Sequence, residues 1–109
     1  MRTRSFIAVY MMTNKMRGTL YVGVSSELME RVGQHRDGKI DGFTQDYSLK
    51  RLVWFEPYER MEGAIAMEKR LKRYRREWKY NLIEAKNPHW NDLFPMLMKD
   101  MGYQAPPPY

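Results

Sequence analysis

Two β-like runs, Phe6-Ile7-Ala8-Val9-Tyr10-Met11-Met12 and Thr19-Leu20-Tyr21-Val22-Gly23-Val24, flank Thr13-Asn14-Lys15-Met16-Arg17-Gly18. No other feature constrains the fold as much. Asn and Gly are turn residues, so the stretch predicts a β-hairpin. A four-residue loop from Asn14 to Arg17 would pair Thr13 with Gly18. That register sets Tyr10 directly opposite Tyr21, with both phenols on one face. Two aligned hydroxyls make a candidate reaction centre; the plainer alternative is a cross-strand aromatic pair that only stabilises the sheet.

After the hairpin, Ser25 or Ser26 is a good N-cap and Glu27 falls in the first turn, predicting a helix over 26–36. Leu28, Met29 and Val32 form its apolar side, Asp37-Gly38 ends it, and Gly33 within it is assigned to close packing. Arg31 and His35, four apart, share a face. Residues 38–48 follow neither period and read as an ordered loop. The run Leu52-Val53-Trp54-Phe55 predicts a third strand over 49–56, stopped by Pro57. Being apolar on both faces, it is expected to be central or covered by helices. A long helix is predicted over 61–85. With Leu71 at 0° and steps of roughly 100° per residue, Ala64, Met67, Tyr74, Trp78 and Leu82 make one apolar stripe, and Glu68 lies at its edge. Asn87-Pro88 marks a break before a last helix over 89–101, where Pro95 sits awkwardly. The tail 102–109, with Pro106-Pro107-Pro108, is expected to be extended and mobile. The expected fold is a mixed α/β (α+β) domain over 1–101, core 4–95, with a three-stranded antiparallel sheet (5–13, 18–24, 49–56) flanked by helices.

A chain of 109 residues allows one modest core. With no cysteine it has neither disulfides nor thiolate metal sites, which suits a reducing cytoplasm, the expected location. No apolar run is long enough for a membrane span. The net charge of +6 favours a polyanionic partner. Its distribution says more. Lys69, Arg70, Lys72, Arg73, Arg75, Arg76 and Lys79 face only one acid, Glu77, within eleven residues, a solvated basic surface suited to phosphates. A boundary carboxylate such as Glu68 has one mundane role here, pairing with Lys72 or Arg75.

The ordered set of Ala8-Val9-Tyr10, Tyr21-Val22-Gly23, Arg31 ten residues after Tyr21, Gln34-His35, Gly42-Phe43-Thr44 with Tyr47, Leu52-Val53-Trp54-Phe55-Glu56, Glu68-Lys69 with Leu71-Lys72, and Asn87-Pro88 with Trp90 and Asp92-Leu93 resembles the GIY-YIG nuclease superfamily. The likeness is specifically to its small single-domain bacterial members, and it covers roughly residues 4 to 95. The first tripeptide departs from the family pattern by lacking its glycine, and Val24 stands where a lysine or other polar residue is frequent. Asn81 and Asn87 both compete for a late asparagine of larger members.

The resemblance implies a phosphodiester hydrolase. Such an enzyme must deprotonate a water, neutralise charge on the transition state and help an oxygen leave. By what the resemblance implies, Tyr21 is the general base, Arg31 binds the scissile phosphate and Glu68 ligates one divalent metal, Mg²⁺ or Mn²⁺. Tyr10 and His35 are helpers on the same face. A tyrosine with its ordinary pKa of about 10 is a poor base at neutral pH and needs a cation beside it. One carboxylate is thin coordination for Mg²⁺, but that ion keeps several waters and takes phosphate oxygens. The expected function is a structure-directed, metal-dependent DNA endonuclease serving repair or recombination, with nucleic acid as partner (DNA ahead of RNA) and no small-molecule cofactor. One alternative is a catalytically weak or inactive nucleic-acid-binding module of the same fold, and a third reading is an RNA- or ribosome-associated accessory protein. DNA versus RNA, branched versus linear substrate, pathway and oligomeric state stay open at this level.

Overall fold

The computed structural model describes residues 6–38 and 49–100. Most of the loop expected over 38–48, and the tail 102–109, lie outside them. In chain order the elements are β1 (Ile7–Thr13), β2 (Leu20–Ser25), α1 (Leu28–Arg36), β3 (Arg51–Tyr58), α2 (Met61–Arg73), α3 (Arg76–Lys86) and α4 (Phe94–Asp100). The three strands form an antiparallel sheet in the order β2-β1-β3, giving the α+β architecture expected.

The hairpin forms with a longer loop and a different register. Thr13 pairs with Leu20 and Tyr10 with Gly23, so Tyr10 is diagonal to Tyr21 and not opposite it. The six-residue loop is held from within. Thr13 Oγ1 lies 2.8 Å from the Thr19 carbonyl and 2.9 Å from that of Lys15, and the Thr19 N–H donates to Asn14 Oδ1 at 3.1 Å. These short side chains satisfy backbone groups that a four-residue loop would have paired. Its outer end is fixed to α3, where the Tyr80 hydroxyl lies 2.6 Å from the Arg17 carbonyl and Arg17 makes a two-pronged contact with Glu84 at 3.0 and 2.9 Å.

Alternation along the strands splits the core into two layers. Val9, Met11, Val22 and Val53 face α2 and α3, packing with Ala64, Leu71, Tyr80, Ile83 and Trp90. Ala8, Tyr10, Met12 and Leu52 face α1 and α4, packing with Leu28, Met29, Val32 and Leu97. Both faces of β3 are therefore covered although it lies at the edge of the sheet and β1 is central. That edge position lets the strand continue through Pro57, expected to stop it, because an edge residue can do without an N–H. The open edge is partly closed by the chain after α3. The Leu93 N–H donates to the Leu52 carbonyl at 2.8 Å, and Asp92 accepts from Leu52 N–H while pairing with Arg36. Buried Asn87 ties the same segment down, donating to the Val53 carbonyl at 3.0 Å and the Asn91 carbonyl at 2.9 Å.

The single helix expected over 61–85 is two. Tyr74 and Arg75 adopt extended backbone, with ψ of 144° and 154°. The phase of the apolar residues accounts for the break. Nine residues after Leu71, Tyr80 would lie about 180° round a continuous helix, pointing away from the sheet. The interruption re-phases the chain, so Tyr80 and Ile83 are buried while Trp78 is 52% exposed. Further on, α4 begins at Phe94, later than expected. Pro95 therefore falls in its first turn, where a missing N–H costs nothing. α1 also begins late, at Leu28, with Ser25 Oγ accepting the Glu27 N–H at 2.9 Å.

Gly33 is not closely packed: a Cβ built on it meets nothing within 4 Å. The correction carries a prediction. Gly33→Ala removes only the entropic penalty of a helical glycine, so it should stabilise the domain by about 0.5–1 kcal/mol. The check is a raised denaturant midpoint with unchanged slope.

Candidate active site

Tyr10 projects from the middle of β1 into the layer beneath α1. Opposite it, Gly23 leaves the space that the phenol fills. A Cβ on Gly23 would lie 2.6 Å from Tyr10 Cζ and Oη and 2.8 Å from Tyr21 Cε1. Any larger residue there displaces two rings, so the glycine of Tyr21-Val22-Gly23 is a steric requirement of the site. The expected register, with Tyr21 across from Tyr10, hid this role of the glycine.

His35, in the last turn of α1, closes the aromatic cluster. Its Nε2 is 3.0 Å from Tyr10 Oη, and its ring centroid is 5.7 Å from that of Tyr10 and 5.0 Å from that of Tyr21. The two tyrosine rings are 6.1 Å apart. Exposure separates the phenols. Tyr10 is 1% exposed, whereas Tyr21 is only half-buried. Burial pushes the Tyr10 hydroxyl well above the ordinary range of tyrosine, with the Tyr21 phenol adding to it; Arg31 acts against this and Glu68 with it. These charges come from α1 and α2. Three elements besides its own strand, β2, α1 and α2, thus act on one hydroxyl.

Burial, with a smaller contribution from Arg31, lowers the His35 pKa to about 4, so its imidazole is neutral at pH 7. Its Nδ1 has no hydrogen-bond partner among the described residues. This has a thermodynamic consequence. Unfolded His35 regains an ordinary pKa near 6.5 and binds a proton that the folded ring refuses. Stability is therefore full above pH 6.5 and falls as the pH drops toward 4. A loss of about 2 kcal/mol is expected between pH 7 and 4.5. Urea midpoints across that window should slope in the wild type and flatten in His35→Gln.

Arg31 is exposed and lines a shallow polar groove of about 140 Å³ with Ser25, Ser26, Glu27, Glu30 and Gln34. Glu68 sits where its helical phase put it, at the edge of the stripe, its side chain 17% exposed. Its partner is Lys72, with Nζ 3.0 Å from Glu68 Oε2, and not Arg75. Among the described residues no three His, Cys, Asp or Glu side chains converge as a ready-made metal centre. Glu68 nevertheless suits a hard cation: it offers carboxylate oxygen, and an ammonium on a flexible, half-exposed stem already stands beside it.

The seven basic residues lie on both sides of the break between α2 and α3. Lys69, Arg70, Lys72, Arg73, Arg75 and Arg76 are exposed and Lys79 is partly buried. Only Lys72 of the seven makes an ion pair among the described residues. Of the two asparagines, Asn87 is committed to the Val53 and Asn91 carbonyls, and Asn81 lies exposed on α3.

Tyr10, Tyr21 and His35 thus form one aromatic cluster over Gly23, and the charges of Arg31 and Glu68 act on Tyr10 from the helices that flank the sheet. The family model of the GIY-YIG catalytic domain matches residues 6–81, and the chain belongs to that family of nuclease domains. It is similar to the UPF0213 protein of Haloquadratum walsbyi, with 32% identity over 66 residues, 61% of this chain and 74% of the relative. It is equally similar to the UPF0213 protein of Staphylococcus aureus strain Mu3, with 32% identity over 69 residues, 63% of this chain and 84% of the relative. No solved structure matches. No helix among the described residues is long and apolar enough to cross a membrane.

Proposed function

We propose that the chain is a divalent-metal-dependent endonuclease that cleaves DNA at structural features, in repair or recombination. The observation that carries this reading is the difference in burial between the two tyrosines, which suits a division of labour. The buried Tyr10 keeps its proton and positions the cluster through His35, which is neutral and hydrogen-bonded to it. Tyr21, the less buried phenol, first gives up its own proton to solvent and then, as phenolate, takes the proton of the attacking water. Arg31 holds the scissile phosphate from the neighbouring groove, its planar fork matching two phosphate oxygens. Glu68 would hold the metal, Mg²⁺ or Mn²⁺, with substrate phosphate and waters completing the shell once Lys72 swings aside. Bound there, such an ion stabilises charge on the leaving oxygen. The cationic surface of α2 and α3 carries the flanking backbone.

The Glu68–Lys72 pair also favours a second reading, a nucleic-acid-binding module without turnover. One experiment separates them. Purified protein is incubated with single-stranded, duplex, flap and branched substrates, as DNA and as RNA, with Mg²⁺ or with EDTA. Cleavage confined to Mg²⁺ and to particular structures is the expected result. Binding without cleavage of any member selects the module.

A further inference from the structure

The chain carries three tryptophans, and two are buried: Trp54 is 2% exposed and Trp90 is 0%. Trp78 is 52% exposed, on the first turns of α3. It is there because the helix breaks at Tyr74 and Arg75; a continuous helix would have turned it into the apolar stripe. The exposed indole is braced. Tyr74 meets it edge to face with centroids 5.5 Å apart and planes at 82°, and the Arg75 guanidinium lies 5.6 Å from its centroid. In the preceding nine residues of the chain, Lys69, Arg70, Arg73 and Arg76 are exposed, and none of them makes an ion pair among the described residues. The nearby acid Glu77 is drawn toward Arg17, at 3.7 Å.

A protein-docking patch would need contiguous apolar surface. The other exposed large hydrophobic residues, Met16, Ile65 and Met96, lie outside this basic stretch. One rigid indole with a cation at its ring, in a basic stretch of the chain, fits a different ligand, a strand whose phosphates meet the charges and whose base has a free π-face. We infer that Trp78, held by Tyr74 and Arg75, is a stacking platform for one unpaired nucleobase of a flap or single-stranded segment. The inference rests on the reading of the chain as a nucleic-acid enzyme and deepens it, since it names unpaired nucleotides as what the basic face prefers.

The test measures binding in EDTA to three probes: a blunt DNA duplex, the same duplex with a short single-stranded flap, and that flap built from abasic sites. Wild type should bind the base-bearing flap about tenfold more tightly than the abasic one, within the range for one base stacked on an aromatic ring. Tryptophan emission should be quenched by the base-bearing flap alone. Trp78→Ala should lose the tenfold preference while binding the abasic flap and blunt duplex as wild type does, and Trp78→Phe should recover part of it. Arg73→Glu should weaken all three together, because it removes a phosphate contact. An unchanged melting curve establishes that Trp78→Ala is folded. Equal wild-type affinity for base-bearing and abasic flaps, or a preference that survives Trp78→Ala, overturns the stacking site and leaves the nuclease reading standing. No binding of any probe overturns both. Emission shifted by phosphatidylserine vesicles and untouched by the oligonucleotides assigns the patch to a lipid surface and also overturns it.

Discussion

Glu68→Gln should abolish cleavage in Mg²⁺ and leave nucleic-acid binding in EDTA as tight as that of the wild type or tighter. The substitution keeps the length and helix propensity of the side chain and removes its charge. A Lewis-acid contribution of several kcal/mol, at about 1.4 kcal/mol per tenfold, corresponds to a rate loss on the order of 10³ or more. Binding does not suffer, because the lost charge repelled the phosphates. Lys72→Gln is the companion measurement. If Glu68 served only its ion pair with Lys72, either substitution would have the small effect of an exposed pair, about 0–1 kcal/mol. In the proposed mechanism the two diverge: Lys72→Gln at saturating substrate stays within a few-fold of wild type while Glu68→Gln does not cleave. Equal turnover by Glu68→Gln and wild type removes Glu68 from the chemistry.

The hairpin and the convergence of Tyr10 and Tyr21 on one face could be read from the sequence for one reason: face depends on parity. The loop holds two more residues than expected, and a shift of two leaves every side chain on its predicted face. Tyr10 and Tyr21 therefore still converge. What the shift changes is the residue across from Tyr10, a glycine and not a tyrosine, and so the packing reason for Gly23 was missed. The loop length was hidden because Thr13 and Asn14 satisfy its backbone with side-chain oxygens, and local patterns do not reveal that capacity.

The helix break was concealed differently. Neither Tyr74 nor Arg75 is a helix breaker, and Trp78 extends the stripe of Leu71 in phase. The contrary signal lay farther on, in Tyr80 and Ile83, whose burial requires another phase. Tertiary packing against the sheet won over local continuity. The density of like charge at Arg73, Arg75 and Arg76 made the extended backbone less costly there. The position of β3 at the sheet edge was likewise hidden, because burial on both faces is shared by central strands and by edge strands with helices on each side.

Tyr21→Phe is the sharpest test of the proposed base. The phenyl ring preserves the packing against Tyr10 and His35, so the fold and binding in EDTA should match the wild type. Loss of a general base costs about 10²–10⁴ in rate, and a loss of that size is expected in single-turnover cleavage with Mg²⁺. Tyr10→Phe provides the contrast. It breaks the contact with His35 Nε2 in a buried place and should cost about 1–3 kcal/mol of stability. Its rate loss should be smaller than that of Tyr21→Phe, because a buried phenol holding its proton cannot accept one from water. The pair of variants thus separates a group that reacts from a group that positions. Wild-type cleavage by Tyr21→Phe would reduce the two tyrosines to an aromatic contact between strands. A larger rate loss in Tyr10→Phe than in Tyr21→Phe would reverse the assignment, despite the 1% exposure of Tyr10.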